Sequence, residues 1–391
     1  METRGSAWQV FRAFFVLGLT SFGGPIAHLG YFRDAFVEKR KWLSDRAYAD
    51  LVALCQLLPG PASSQVGMAL GLQRAGYAGM FAAWFAFTMP SAVLMVGFAY
   101  GLEYFAVDPQ AGWVLGLKAA AVAVVANAVL AMARSLAPDR ERATIAVGAM
   151  ILALLIPWVA GQVAVIVVAA LVGLFWLKAS PPPMLMWDRF NVRVPRWVAV
   201  LALLIFAGLL IGLPLLASAT KNLGVDLADI FYRAGSLVFG GGHVVLPLLQ
   251  SQTSELVSHD LFLAGYGAAQ AVPGPLFTFA AYLGAETGLG ITGAVIALLA
   301  IFLPSALLIV GALPFWEKLR HAPKVQRALM GVNAGVVGLL AAALYTPVFT
   351  EGIPDAMAMI IAAAAFVALA AWKAPAWAVV IAAGVLGYFV L

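Results

Sequence analysis

Gln56-Leu57-Leu58-Pro59-Gly60-Pro61 returns as Gln270-Ala271-Val272-Pro273-Gly274-Pro275, at an offset of 214 residues. Its neighbours return with it. Ser21-Phe22-Gly23-Gly24-Pro25 is answered by Val238-Phe239-Gly240-Gly241-Gly242 at an offset of 217. Gly76 and Gly79 match Gly290 and Gly293, and Pro90-Ser91-Ala92 with Gly97 matches Pro304-Ser305-Ala306 with Gly311. Landmarks in the same order at nearly constant spacing mark a duplication. The first copy occupies residues 1–179 and the second 197–391. A proline-rich polar linker, 180–196, joins them.

Composition places both copies in lipid. Of 391 residues, 63% are hydrophobic and only 10% are charged, against roughly a quarter charged in a soluble domain. One soluble core cannot hide that much apolar surface. Apolar runs recur near the roughly 20 residues that cross a bilayer. They are continuous in Ala, Val, Leu and Gly and do not alternate with polar residues, which predicts helices and not a barrel. The fold class is therefore an all-α polytopic membrane protein. Full spans are predicted near 80–100, 113–133, 143–159, 161–177, 197–218, 292–314, 328–346, 357–372 and 375–391. The segment Met1 to Arg12 is basic and runs into Phe14-Phe15-Val16-Leu17 with no small-residue cleavage site, so a retained segment is expected.

The net charge of +5 would suggest nucleic acid in a soluble chain. Here the bases lie mainly in short connections and set orientation instead, so no nucleic-acid partner is expected. Arg33, Lys39, Arg40, Lys41 and Arg46 follow the first landmark, whereas Gln250 to Asp260 in the second copy has no Lys or Arg. After the Pro-Ser helices the pattern reverses. The loop from Gly101 to Gly112 has no base, while its counterpart carries Lys318, Arg320, Lys324 and Arg327. Arg134, Arg140 and Arg142 likewise face a base-free stretch, Thr346 to Asp355. Equivalent loops on opposite sides of the membrane mean inverted-topology repeats, an arrangement common in secondary transporters.

Parity sharpens this. Only one clear span separates the basic loop at 33–46 from the base-free loop at 101–112, so residues 47–73 must enter and leave on one side. Pro59-Gly60-Pro61 splits that segment into pieces too short to cross. A re-entrant hairpin with Pro-Gly-Pro at its tip is expected, and a second at 261–286 entering from the other side. The Phe-Gly-Gly segments are either a further hairpin pair or broken spans.

Non-helical backbone at membrane depth is tolerated where it faces protein or a watery cavity. In inverted-repeat transporters such breaks mark the substrate site. A helix restarting after a Gly-Gly or Pro-Gly-Pro break aims unpaired N–H groups and the positive end of its dipole into the cavity, which suits an anion. The candidate binding residues are thus Ser21, Phe22, Gly23 and Gly24; Gln56, Pro59, Gly60 and Pro61; Gly240, Gly241 and Gly242; and Gln270, Pro273, Gly274 and Pro275. Ser63, Ser64, Gln65 and Thr278 follow the tips and carry donors for oxyanion oxygens. The bland alternative is that the breaks are packing kinks and the hydroxyls bond local carbonyls.

His28 and His243 lie just past the Phe-Gly-Gly breaks, as anion partners, proton relays or plain packing histidines. Glu286 is a coupling carboxylate or an interfacial acid. Arg12 and Lys118 are read as snorkelling bases, Arg12 having the better claim to a role in charge coupling. One cysteine, Cys55, excludes an internal disulfide and a multi-cysteine zinc site. No metalloprotease, nucleophile-elbow or Walker signature is present, and no enzyme, metal or cofactor is called for.

At these landmarks the chain resembles the chromate ion transporter family of prokaryotes, in its long two-domain form. The resemblance rests on Gly18 through Pro25, Arg33-Asp34 through Lys41-Trp42-Leu43, Gln56 through Gln65, Phe239 through His243, and Gly265 through Gly284. It implies export of chromate across the cytoplasmic membrane, linked to the proton-motive force, with sulfate as an analogue. The sequence departs from the family's Asn-Ser-Thr-Glu after the first tip, carrying Ala62-Ser63-Ser64-Gln65 and no carboxylate. The expected partners are a chromate or sulfate-like oxyanion and membrane lipid, and a homodimer is the assembly to test. The alternatives are a sulfate or other oxyanion permease, or a passive anion channel.

Overall fold

The computed structural model describes residues 5–108, 110–156, 159–178, 190, 192, 194–239, 243, 245–316 and 322–391. Among them there are helices and no strand. Helix α1 (Ala7–Thr20) starts on a Ser6 cap that accepts from the Gln9 amide, then gives way to extended backbone at Ser21. Gly23 has φ +99°, a left-handed geometry open chiefly to glycine, and α2 (Gly24–Phe32) restarts directly after it. A wider, π-helical stretch at Arg33–Lys39 leads to the basic loop.

Helix α3 (Asp45–Leu57) is capped by Ser44 and stops just before Pro59-Gly60-Pro61. Helix α4 (Ala62–Tyr104) is two arms and not one rod. At Ala75 and Gly76 the backbone leaves the helical range, Gly76 reaching φ +66°, and the chain turns back on itself. The backbones of Gly71 and Gly79 then touch so closely that neither position has room for a Cβ. The region 47–73 is therefore two short helices around a Pro-Gly-Pro corner, as its spacing predicts.

The next helices are α5 (Gly112–Leu136), α6 (Arg140–Leu155), α7 (Val159–Trp176), α8 (Arg196–Thr220) and α9 (Leu223–Leu237). The second break follows α9, and α10 (Val245–Thr253) restarts beyond it. Gly240, Gly241 and Gly242 lie outside the described residues, as do Lys318, Arg320 and most of the 180–196 linker. Helix α11 (His259–Ala271), the Pro-Gly-Pro corner, a short turn at Leu276–Thr278 and α12 (Phe279–Gly284) repeat the first arrangement. The turn back falls at Gly288 and Gly290, φ +82° and +55°, leading into α13 (Gly290–Ala312). Gly284 and Gly293 make the same close backbone contact as Gly71 and Gly79. Three helices complete the chain: α14 (Pro323–Ala343), α15 (Ala356–Ala370) and α16 (Ala376–Val390).

Helical stretches within 62–104, 112–136, 196–220, 276–315 and 323–352 are long and apolar enough to cross a membrane. The spans expected at 143–159, 161–177, 357–372 and 375–391 fold as helices at nearly those bounds, α6, α7, α15 and α16, of 16, 18, 15 and 15 residues. At 1.5 Å per residue most of these fall several ångströms short of a roughly 30 Å hydrocarbon core. Only 11% of the apolar window of α8 is buried, which leaves Leu204, Ile211 and Leu215 to face lipid.

Packing repeats in part and crosses in part. Helix α1 lies along α4, and α9 lies along α13, each within its own copy. Phe14, Phe32, Phe36 and Phe87 fill the first of these seams, with the Phe14 and Phe36 rings stacked at 4.8 Å. The later helices exchange partners. Helix α5 of the first copy packs on α15 and α16 of the second, and α14 of the second packs on α6 and α7 of the first.

Candidate functional site

Each Pro-Gly-Pro corner docks on the other copy. The Gly60 amide donates to the Val238 carbonyl at 2.6 Å, and the Gly274 amide donates to the Ser21 carbonyl at 2.9 Å. Both acceptors sit where a helix has just stopped, with a carbonyl free to accept. Both glycines have positive φ, +112° and +101°. Gly60 lies against Ser305 and Gly274 against Ser91, the serines that follow Pro304 and Pro90. The two contacts are reciprocal, residue for residue.

These amides are engaged, so they are not the free donors that the breaks alone suggest. The free donors lie one step further on. Helices α2 and α4 and the turn at Leu276–Thr278 start at Gly23, Pro61 and Pro275 with no side-chain cap. Elsewhere α3, α6, α9 and α11 are capped by Ser44, Asp139, Asn222 and Ser258, while α5, α8, α14 and α16 also start without a side-chain cap. An uncapped helix start in a dry interior offers N–H groups to an anion.

Side chains at the first corner join these parts. His28 is fully buried, with Nε2 3.2 Å from the Ser21 carbonyl and Nδ1 3.4 Å from Ser63 Oγ. A carbonyl only accepts, so Nε2 donates and Nδ1 accepts from the Ser63 hydroxyl. The Ser21 carbonyl thus receives both His28 and Gly274. Gln65, also fully buried, donates through Nε2 to the Pro59 carbonyl at 2.7 Å and reaches Ser305 Oγ at 3.5 Å. Ser21 Oγ, Ser64 Oγ, Thr88 Oγ1 and Gln65 Oε1 are buried without a partner. Each such group costs about 1–3 kcal/mol, which an occupant able to hydrogen-bond would offset.

Other candidates stand apart from this junction. Thr278 donates to the Pro275 carbonyl at 2.9 Å, the local bond that hydroxyls commonly make. The Phe22 ring packs against Trp377 at 5.6 Å. Gln56 and Arg12 are exposed, while Gln270 is half-buried with Nε2 unpaired. His243 Nδ1 lies 2.6 Å from the Tyr266 hydroxyl. Glu286 sits at the second turn-back, half-buried, with Oε1 unpartnered.

Sequence reading missed several participants. Ser91 and Ser305 belong to the repeated Pro-Ser landmarks but were not expected to touch the tips. Lys118 does not snorkel. It is 1% exposed, and its Nζ lies 2.7 Å from Asp260 Oδ1 in α11. In α9, Arg233 pairs with Asp229 one turn earlier. A cavity of about 720 Å³, lined by Gln162, Gln250, Ser251, His259, Thr346 and Glu351 among others, adjoins α10 and the start of α11.

The family described as Chromate transporter matches the chain in two stretches, residues 8–176 and 225–388. The Chromate transport protein of Pseudomonas aeruginosa is 30% identical, over 98% of this chain and 92% of its own length. The Probable chromate transport protein of Synechococcus elongatus is 28% identical over 86% of this chain and 83% of its own. No solved structure matches. The chain is a multi-pass helical membrane protein, and it belongs to the chromate transporter family.

Proposed function

We propose that the protein is a secondary transporter that exports chromate, a tetrahedral oxyanion, across a prokaryotic cytoplasmic membrane. One observation carries the reading. Uncapped helix starts at Gly24 and Ala62 converge, through Ser21, His28 and Ser63, on a tip that crosses over from the other copy. An oxyanion there meets backbone amides and the unpartnered hydroxyls of Ser21 and Ser64, with N–H groups aimed at its charge. Family membership and the printed names of the relatives support chromate as the cargo.

The two copies are inverted repeats in this reading, and the Pro-Gly-Pro segments are re-entrant hairpins entering from opposite sides. Reciprocal docking of Gly60 and Gly274 supports it, as do matching turns at Gly76 and Gly290 and the reversed distribution of bases. Alternating access then opens one tip contact while the other stays closed. Export is taken to be driven by the proton-motive force.

Purified protein in vesicles tests the reading. Labelled chromate flux should saturate with concentration and respond to an imposed pH gradient. A non-saturating flux that follows voltage alone would make the protein a channel. No chromate flux at all would defeat the proposal.

A further inference from the structure

Lys118 is the most deeply buried charge among the described residues, and the tips do not use it. An ionisable side chain inside a membrane protein is costly and is retained where it acts on a substrate or an ion. Its carboxylate partner, Asp260, comes from the first turn of α11, the helix that leads to the Gly274 tip. That side chain is about a third exposed, while the Lys118 side chain is almost wholly covered. Gln110 holds the second Asp260 oxygen at 3.0 Å.

Lys118 and Asp260 do not line the 720 Å³ cavity, but chain neighbours of their contacts do. His259 and Glu351 line that cavity. The next residue after each lies against Lys118. Asp260 binds the ammonium, and Gly352 packs near the Lys118 carbonyl. Gln250, also in the lining, is 4% exposed and has Oε1 unpaired. Its Nε2 lies 3.3 Å from His259 Nδ1. Turning the amide over would let the imidazole N–H donate to the oxygen, with the same heavy-atom positions.

We propose that Lys118 is a second oxyanion contact on the transport path, covered in this conformation by Asp260. The Asp260 carboxylate holds the place of two oxyanion oxygens. When α11 shifts, the ammonium faces the cavity, and the ion exchanges one partner for the other beside Gln250 and Ser251. Glu351 in the same lining opposes the anion and keeps the site weak enough to release it. This rests on the oxyanion-transport reading and adds a station apart from the tips.

Chromate flux through full-length protein in vesicles separates the possibilities. Lys118→Met removes the contact, and KM should rise about tenfold, the loss of one charged partner. Asp260→Asn leaves the ammonium uncovered, so KM should fall several-fold while maximal flux also falls, because release slows. Shifts in opposite directions are the signature, since a mere tether would weaken the protein the same way from either end. If Lys118→Met does not fold, Asp260→Asn decides alone, and an unchanged or raised KM overturns the inference. Wild-type flux without the opposed shifts sinks this inference only. Absence of wild-type flux sinks the transport reading with it.

Discussion

Gly60 and Ser305 meet across the two copies so tightly that a methyl group on the glycine would overlap the serine hydroxyl. Gly60→Ala therefore meets both a clash and a φ of +112°, the latter alone costing about 1–2 kcal/mol. Gly274→Ala should behave alike, because its Cβ would stand 2.8 Å from Ser91 Oγ. Chromate flux should fall at least about tenfold in either variant, equivalent to 1.4 kcal/mol. Gly148→Ala is the control, since a Cβ there would meet nothing within 4 Å beyond its own helix, α6. Normal flux through Gly60→Ala would show that the tip contact is dispensable.

Gln65 sits beside that contact with no carboxylate in the run Ala62-Ser63-Ser64-Gln65. Gln65→Leu keeps the bulk but removes the amide that donates to the Pro59 carbonyl and reaches Ser305, which loosens the tip. KM for chromate should rise about tenfold or more. A KM equal to that of the unaltered protein would place the anion elsewhere.

The turn-back at Gly76 holds only if Gly71 and Gly79 stay bare. Gly79→Val inserts a branched side chain where two backbones touch, and overpacking of this kind costs about 1–3 kcal/mol or more. Expression in membranes and thermal stability should both drop. Gly293→Val should match it, because Gly284 and Gly293 repeat the contact. Retained stability in both would mean that the arms can separate freely.

Topology is open to labelling. Cys55 is wholly buried, so a Cys55→Ala background removes the only native thiol. Lys39→Cys and Lys324→Cys should react from one side of the membrane, and Asp108→Cys and Glu255→Cys from the other. All four positions are exposed. Opposite sidedness for the first pair would end the inverted-repeat reading.

Much of this framework was legible because short-range chemistry wrote it. Pro-Gly-Pro stops a helix wherever it occurs, and Gly76 and Gly290 turn the chain because only glycine tolerates those angles. The doubled spacing then located the tips. What stayed hidden depends on three-dimensional proximity. Nothing local tells that Lys118 will find Asp260, 142 residues away, or that Gln65 is buried while Gln56 is exposed. Both glutamines flank the same corner. The turn of the helix decides which one faces protein.

The crossing of α5 and α14 into the opposite copy has a further meaning for how the molecule holds together. A cut in the 180–196 stretch would sever the covalent join but not the packing of α5 on α15 and α16 or of α14 on α6 and α7. Fragments made separately would each lack the surface that covers their longest later helix. Produced in one cell they should clasp each other. Two clasped fragments, each already threaded through the other, also cannot tilt as independent blocks. The bodies that move must be mosaics, drawn from both ends of the gene.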